Sequence, residues 1–204
     1  MKSITLLMIS LLLSLLHANA QELSVEFGGG TGQAYVYEDA DDGVDVSYAV
    51  PFSAYAAITY HKPEQYFGMS LRLQYMNAGI EGEDWQQGLS TMKGDVTAFS
   101  TFVLLEHLKT NNTWNFGYHF GMGYTTEQLR KNLALQEGIT TSRYMSLMGA
   151  GVVSYELSPS VSFRLAPTLL WTDPVNSLRD SSLWQLAGDD LSWLVQIGVA
   201  YHFN

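Results

Sequence analysis

Five histidines, two arginines in otherwise apolar surroundings, a run of acids and a run of glycines are the places where this chain could do chemistry. A hydrolase needs a serine activated by histidine, with a carboxylate orienting the imidazole. His17 falls in the leading apolar segment, His61 and His107 fall near chain turns, and His202 is at the C-terminus. His119 stands between Tyr118 and Phe120 with no His-x-Ser arrangement around it. No catalytic residue is nominated, and His119 reads as a hydrogen-bonding residue of an interior.

Arg72 and Arg164 occur among residues expected to point inward, where an unpaired guanidinium is costly. Glu26, Glu106 and Glu156 are the carboxylates available to them. The expected arrangement is a structural ion-pair plug rather than a substrate gate, and conductance is not expected. Glu38, Asp39, Asp41, Asp42 and Asp45 offer oxygens to a hard divalent cation, but their spacing is not that of an EF-hand loop. They read as a solvated tip, and no metal is assigned to the segment 38–45. Gly28-Gly29-Gly30-Thr31-Gly32 is followed by no Gly-Lys-Ser/Thr, so it is no phosphate loop; glycines in a strand permit close packing or bending. No cofactor is assigned. Asn111-Asn112-Thr113 fits a glycosylation pattern but reads as a turn.

Export is expected from the first twenty residues: Lys2 is a positive n-region, Ile4 to Leu16 an apolar segment too short to span a bilayer, and Ala18-Asn19-Ala20 a small-x-small cleavage signal. The mature domain is then 21–204. It contains no cysteine, hence no disulfide and no lipid on an N-terminal Cys. Nine basic and twenty acidic residues leave it at −11, which excludes a basic nucleic-acid face. After the signal no apolar stretch approaches the ~20 residues of a membrane helix.

The elements that must hold these residues are strands, because the dominant pattern has period two. Trp114, Phe116, Tyr118, Phe120, Met122 and Tyr124 alternate with Asn115, Gly117, His119, Gly121 and Gly123. Phe67 to Tyr75, Val161 to Trp171 and Leu191 to Phe203 repeat the scheme, with Leu194 out of phase. Weaker segments at 22–37, about 44–61, 96–108 and 143–157 bring the number to eight. Pro51 and Pro167 fall inside two of them and are expected at a bulge or strand end. Short turns at Lys62–Gln65, Lys109–Thr113 and Ser158–Ser160 alternate with long polar stretches near 78–95, 125–142 and 172–190. Weak helical character appears in two of these, at Glu127–Gln136 and Leu178–Leu186. Short turns on the side of both termini and longer loops opposite suit an even-stranded up-and-down barrel.

Alternation alone also suits a soluble barrel with an apolar interior. The polar face decides. Of its twenty residues in the four clearest strands seven are Gly or Ala, two are charged, and none is Lys, Asp or Glu. Water would demand more charge, whereas a crowded lumen would not. Aromatics near the ends of the apolar face, including Phe67, Tyr75, Trp114, Tyr124, Trp171, Trp193 and Tyr201, sit where interfacial girdles belong. The expected fold is an all-β, eight-stranded antiparallel up-and-down transmembrane β-barrel in the outer membrane of a Gram-negative bacterium.

The run Leu71 to Gly79, the Thr113–Tyr124 strand with its glycines, the Gly149-Ala150-Gly151 to Glu156-Leu157-Ser158 hairpin, and the terminal Gly198 to Phe203 resemble the outer-membrane β-barrel domain called porin-family or PorT-like. The resemblance covers most of the mature chain; its motifs are patterns rather than invariant sites. It implies that the terminal aromatic strand, here Tyr201 and Phe203 followed by Asn204, is the assembly signal. The chain is also similar to small barrels that act in adhesion or stress response. The expected role is structural or interactive, through extracellular loops that meet an unknown protein or ligand, with outer-membrane lipid around the wall. Two alternatives remain open: a barrel enzyme on envelope lipids and a soluble secreted lipid carrier.

Overall fold

Successive side chains of a strand point to opposite faces, so a chain whose odd and even positions differ in kind serves two unlike environments by staying extended. The structure, a computed structural model, describes residues 23–37, 44–61, 66–84, 90–109, 113–133, 136–172 and 190–203. Among them every regular element is a strand: β1 (Leu23–Tyr37), β2 (Val44–Tyr48), β3 (Phe52–His61), β4 (Phe67–Asp84), β5 (Ser90–Lys109), β6 (Trp114–Leu133), β7 (Gln136–Ser158), β8 (Val161–Thr172) and β9 (Asp190–His202). From β3 onward each pairs antiparallel with its successor, and β1 lies between β3 and β9, which closes the ring. β2 and β3 both pair with β4 and form two halves of one barrel strand. Nine segments therefore make an eight-stranded barrel, as expected.

The two prolines act differently. Tyr48 pairs with Ile80 and Phe52 with Asn77, so the side bearing Pro51 has one residue more than β4, which is a bulge. Ala49 N–H donates to the Gly79 carbonyl at 2.8 Å and Thr31 Oγ1 to the Pro51 carbonyl at 2.8 Å, which ties the bulge to both neighbours. Pro167 makes neither a bulge nor an end. β8 runs through it in one register with β9, but the β7–β8 ladder passes from Ala150↔Thr168 to Val153↔Leu165 with two pairs missing between.

The polar stretches are mostly ladder rather than loop. β4 and β5 pair without interruption from Phe67↔His107 to Asp84↔Ser90, and β6 and β7 from Trp114↔Tyr155 to Leu133↔Gln136. The helical character expected from Glu127 is therefore corrected, since that segment continues β6 as strand to Leu133. Beyond the apolar belt the outer face meets water and turns polar, as at Gln128 and Arg130, while the buried face mixes Thr125 and Glu127 with Leu129, so alternation of residue type fades while backbone pairing continues. The signal segment 1–20, the acids Glu38 to Asp42, the turn 62–65, Asn111-Asn112 and Leu178–Leu186 lie outside the described residues.

The direction of the faces is as the polar side implied. Phe67, Met69, Leu71, Leu73 and Tyr75 are exposed, as are Trp114, Phe116, Tyr118, Phe120, Met122 and Tyr124, while Ser70, Arg72, Gln74, Asn115 and His119 are buried. A soluble carrier needs the reverse, so that alternative is set aside. An exposed belt of this size is built for hydrocarbon.

Candidate functional site in the lumen and at the outer rim

Inside the wall, both buried arginines and two of the buried carboxylates meet in one layer. Arg164 on β8 donates from Nη1 to Glu26 Oε2 of β1 at 2.9 Å and to Glu106 Oε2 of β5 at 3.0 Å. The expected ion pair thus forms at Arg164, with two of the three carboxylates named for it. Glu156 is not among its partners; it is exposed and accepts from Asn115 Nδ2 at 2.9 Å. Arg72 meets no carboxylate directly. Its guanidinium lies 3.6 Å above the centroid of the Tyr55 ring and donates from Nη2 to Gln196 Oε1 at 2.6 Å. The Tyr55 hydroxyl in turn donates to Glu26 Oε1 at 2.5 Å, so the phenol links both arginines to one carboxylate. Two guanidiniums and two carboxylates form a layer of no formal net charge.

Glycines make room for this layer. Gly28 of β1 and Gly198 of β9 are register partners, and a Cβ on either would overlap the Tyr55 phenol. Gly28 and Gly198 thus cradle an aromatic ring, while a Cβ at Gly30 or Gly32 would meet the β9 backbone, in keeping with close packing. Next to the charges lies a hub that the sequence did not disclose: Gln196 accepts from Arg72 and from Thr168 Oγ1 at 3.0 Å, and donates to Ser53 Oγ and Gln74 Oε1, both at 3.3 Å. Each strand taken alone shows only one or two polar residues, and register is what brings them together.

The histidines divide by face. His119 is buried in the lumen as expected, and its Nε2 has no protein partner. His61 Nε2 stands 3.3 Å from Glu106 Oε1. His107 points outward, packed between the rings of Phe67 at 4.7 Å and Tyr118 at 5.1 Å, as part of the girdle. Ser162 Oγ and His202 Nε2 meet at 3.0 Å across β8 and β9, a contact not anticipated from spacing. Ser162 is buried and the neighbouring Glu156 is committed to Asn115, so the contact is not completed as a triad. Among the described residues no group of three or more His, Asp or Glu is placed to hold a metal ion.

Elsewhere the lumen mixes apolar side chains with buried polar ones: Glu127 accepts from the Tyr144 hydroxyl at 2.5 Å, and Thr125 bonds Ser100 and Ser146, both at 2.8 Å. Ala34, Met76, Ala78, Ile80, Val96, Ala98, Leu129 and the out-of-phase Leu194 form one buried cluster, with Phe102, Leu104, Met148 and Leu170 as another. Ladder pairs continue outward past the girdle residues Tyr75 and Tyr124. Nine pairs follow Tyr75↔Phe99 and nine follow Tyr124↔Met145, so two hairpin ribbons extend about 30 Å at ~3.4 Å per residue. Lys93 bonds Glu81 at 3.0 Å across one ribbon. The opposite end is flush: Phe203 N–H donates to the Leu23 carbonyl and His202 N–H to the Ser160 carbonyl, which puts both described termini beside the short Ser158–Val161 turn.

No family model matches the chain, and no curated protein matches it. Solved structures do. Neisserial surface protein A is similar at 11% identity and TM-score 0.54, over 89% of this chain and 97% of that one. Ail, the attachment invasion locus protein of Yersinia pestis, matches at 14% identity and TM-score 0.55, over 89% and 97%. A major outer membrane protein of Thermus thermophilus matches at 12% identity and TM-score 0.57, over 88% and 98%. At such identities the likeness is one of fold, that of the small outer-membrane barrel.

Proposed function

We propose that this outer-membrane barrel is a structural or interaction protein of the porin-family or PorT-like kind, and that it meets its partners through the outer ribbons and loops rather than through its lumen. The observation that carries this reading is the contrast between a filled interior and a one-sided extension of the wall. β8 and β9 have 12 and 13 residues, close to the ~9–11 that cross a bilayer, whereas β6 and β7 have 20 and 23. Extra strand on the outer side alone adds nothing to anchoring. It does build a surface, including the Gln136–Met145 edge of β7, which has no β8 partner among the described residues.

Charge narrows the partner. Ail has been solved with the heparin analogue sucrose octasulfate, a polyanion. The mature chain at −11 repels such a ligand, so a neutral or cationic partner suits it better.

The test uses the absence of native cysteine. Single cysteines at Lys93 and Ile139, both exposed, should react with a membrane-impermeant maleimide on intact cells, and one at Ser160 should not. Shortening the β6–β7 ribbon to the Leu129↔Thr140 pair keeps the buried Glu127 and Leu129 and should leave a folded barrel that no longer forms the crosslinks seen from a cysteine at Lys93 on the neighbouring ribbon. Labelling at Ser160 alone would invert the topology, and crosslinks unaffected by the shortened ribbon would remove its role as contact surface. Purified protein in planar bilayers should give no conductance steps; steady channel openings would count against the plugged lumen.

A further inference from the structure

Most glycines that face the lumen are explained by what would collide with a side chain there; two on the lipid face are not. A Cβ at Gly149 would meet nothing within 4 Å, and one at Gly151 only Pro167 Cγ at 3.8 Å. Their missing side chains leave an open notch of about 380 Å³ in the wall, bounded by Pro167, Leu169 and Trp193. Pro167 is exposed on β8, two residues outward of the register partner of Ile197 and four short of the girdle residue Trp171, which puts the notch inside the hydrocarbon about halfway through the outer leaflet.

The floor of the notch holds a polar atom. Glu156 N–H donates to the Thr113 carbonyl on the β6 side, so at alternate positions from Tyr155 back to Gly151 the backbone groups turn toward β8. The Ser160 carbonyl accepts from His202 on the β9 side, so from Val161 to Pro167 the alternate residues turn toward β7. Gly151 and Pro167 therefore face each other as a hydrogen-bonding pair. Proline has no N–H, so the Gly151 carbonyl lacks its ladder donor, and the two missing pairs of the β7–β8 ladder are the trace of that loss. An acceptor left open at this depth is disfavoured, because hydrocarbon offers it nothing.

We propose that this notch seats one acyl chain of a membrane lipid that bears a mid-chain hydroxyl, the hydrocarbon lying against Leu169 and Trp193 and the hydroxyl donating to the Gly151 carbonyl. Both halves of the site ask for this chemistry. Position and lining select hydrocarbon, and the single acceptor selects a chain that carries a donor to the same depth.

The full mature protein, folded into phosphatidylcholine nanodiscs, is given equal small amounts of two phosphatidylcholines that differ only in a hydroxyl at the middle of one stearoyl chain. Lipid retained after release from the disc is read by native mass spectrometry. One hydrogen bond predicts about a five- to tenfold preference for the hydroxylated lipid. Pro167→Ala supplies the missing N–H and leaves the notch open, so it should bring the preference to unity while both lipids are still retained. Gly149→Leu and Gly151→Leu fill the notch and should abolish retention of both; if one fails to fold, as judged by heat-modifiable gel migration, the other serves. Equal retention by the unsubstituted protein, or a preference that survives Pro167→Ala, overturns the proposal. So does a disulfide-trapped dimer through Gly149→Cys formed in place of lipid retention, which would give the notch to a second copy.

Discussion

Arg164→Met should lower the stability of the barrel by about 3–5 kcal/mol, the usual cost of breaking a buried ion pair from one side. The substitution leaves Glu26 and Glu106 facing each other with no cation between them, and the nearby Arg72 is held by Tyr55 and Gln196. Adding Glu106→Gln to Arg164→Met should therefore recover part of the loss, because it removes the carboxylate left unpaired. Equilibrium unfolding in urea of protein refolded in vesicles measures both. If the double variant loses the sum of the two single losses, Arg164 and Glu106 do not act as a pair. Arg164→Lys should fall between, since an ammonium cannot present the planar fork that meets two carboxylates at once.

The second large effect concerns the outer face. Ile197 is exposed on β9 midway between Trp193 and Tyr201, and an arginine at a lipid-facing midplane position costs about 2–4 kcal/mol in such barrels. Against the ~5–15 kcal/mol that holds a typical domain together, Ile197→Arg should impair assembly markedly. Tyr201→Arg, at the girdle, should cost about 0–1 kcal/mol for its charge. Unfolding free energies of the two variants in the same vesicles give the depth dependence, and equal losses at both positions would speak against a bilayer around this wall. Gln196→Arg, by position alone, looks like a mild lumen substitution. The structure reverses that expectation, since Gln196 is fully buried and bonded to four side chains, and an arginine there removes the oxygen that accepts from Arg72 and sets a second guanidinium beside it.

The wall was legible from alternation because hydrocarbon and a packed lumen impose opposite chemistries on neighbouring residues. Where that contrast ends, so does the signal: Glu127 to Leu133 looks faintly helical because its buried side carries Glu127 beside Leu129 while its exposed side turns polar with Gln128 and Arg130. The Arg164 pair was legible because so few carboxylates point inward. Arg72 was misjudged for a related reason. Its partners Tyr55 and Gln196 are uncharged, and only the meeting of β3, β4 and β9 around the lumen makes them partners. Pro51 and Pro167 show the same limit, as identical residues in similar strands give a bulge in one case and a broken ladder in the other.

The pairing of β1 with β9 has a consequence for biogenesis. From Ser24↔His202 to Thr31↔Val195 β1 is zipped to β9, so half of the backbone groups of β1 have no partner until β9 has been made and delivered. No shortened translation product can form a closed cylinder, and a ribosome that stalls late releases a chain with two raw edges and an apolar flank. Such a chain must be kept unfolded and shielded from its own kind during transit, and its insertion is a single ring-closing event rather than a progressive one. Loss of β9 should therefore be as damaging as loss of β1, even though the remaining seven barrel strands are intact.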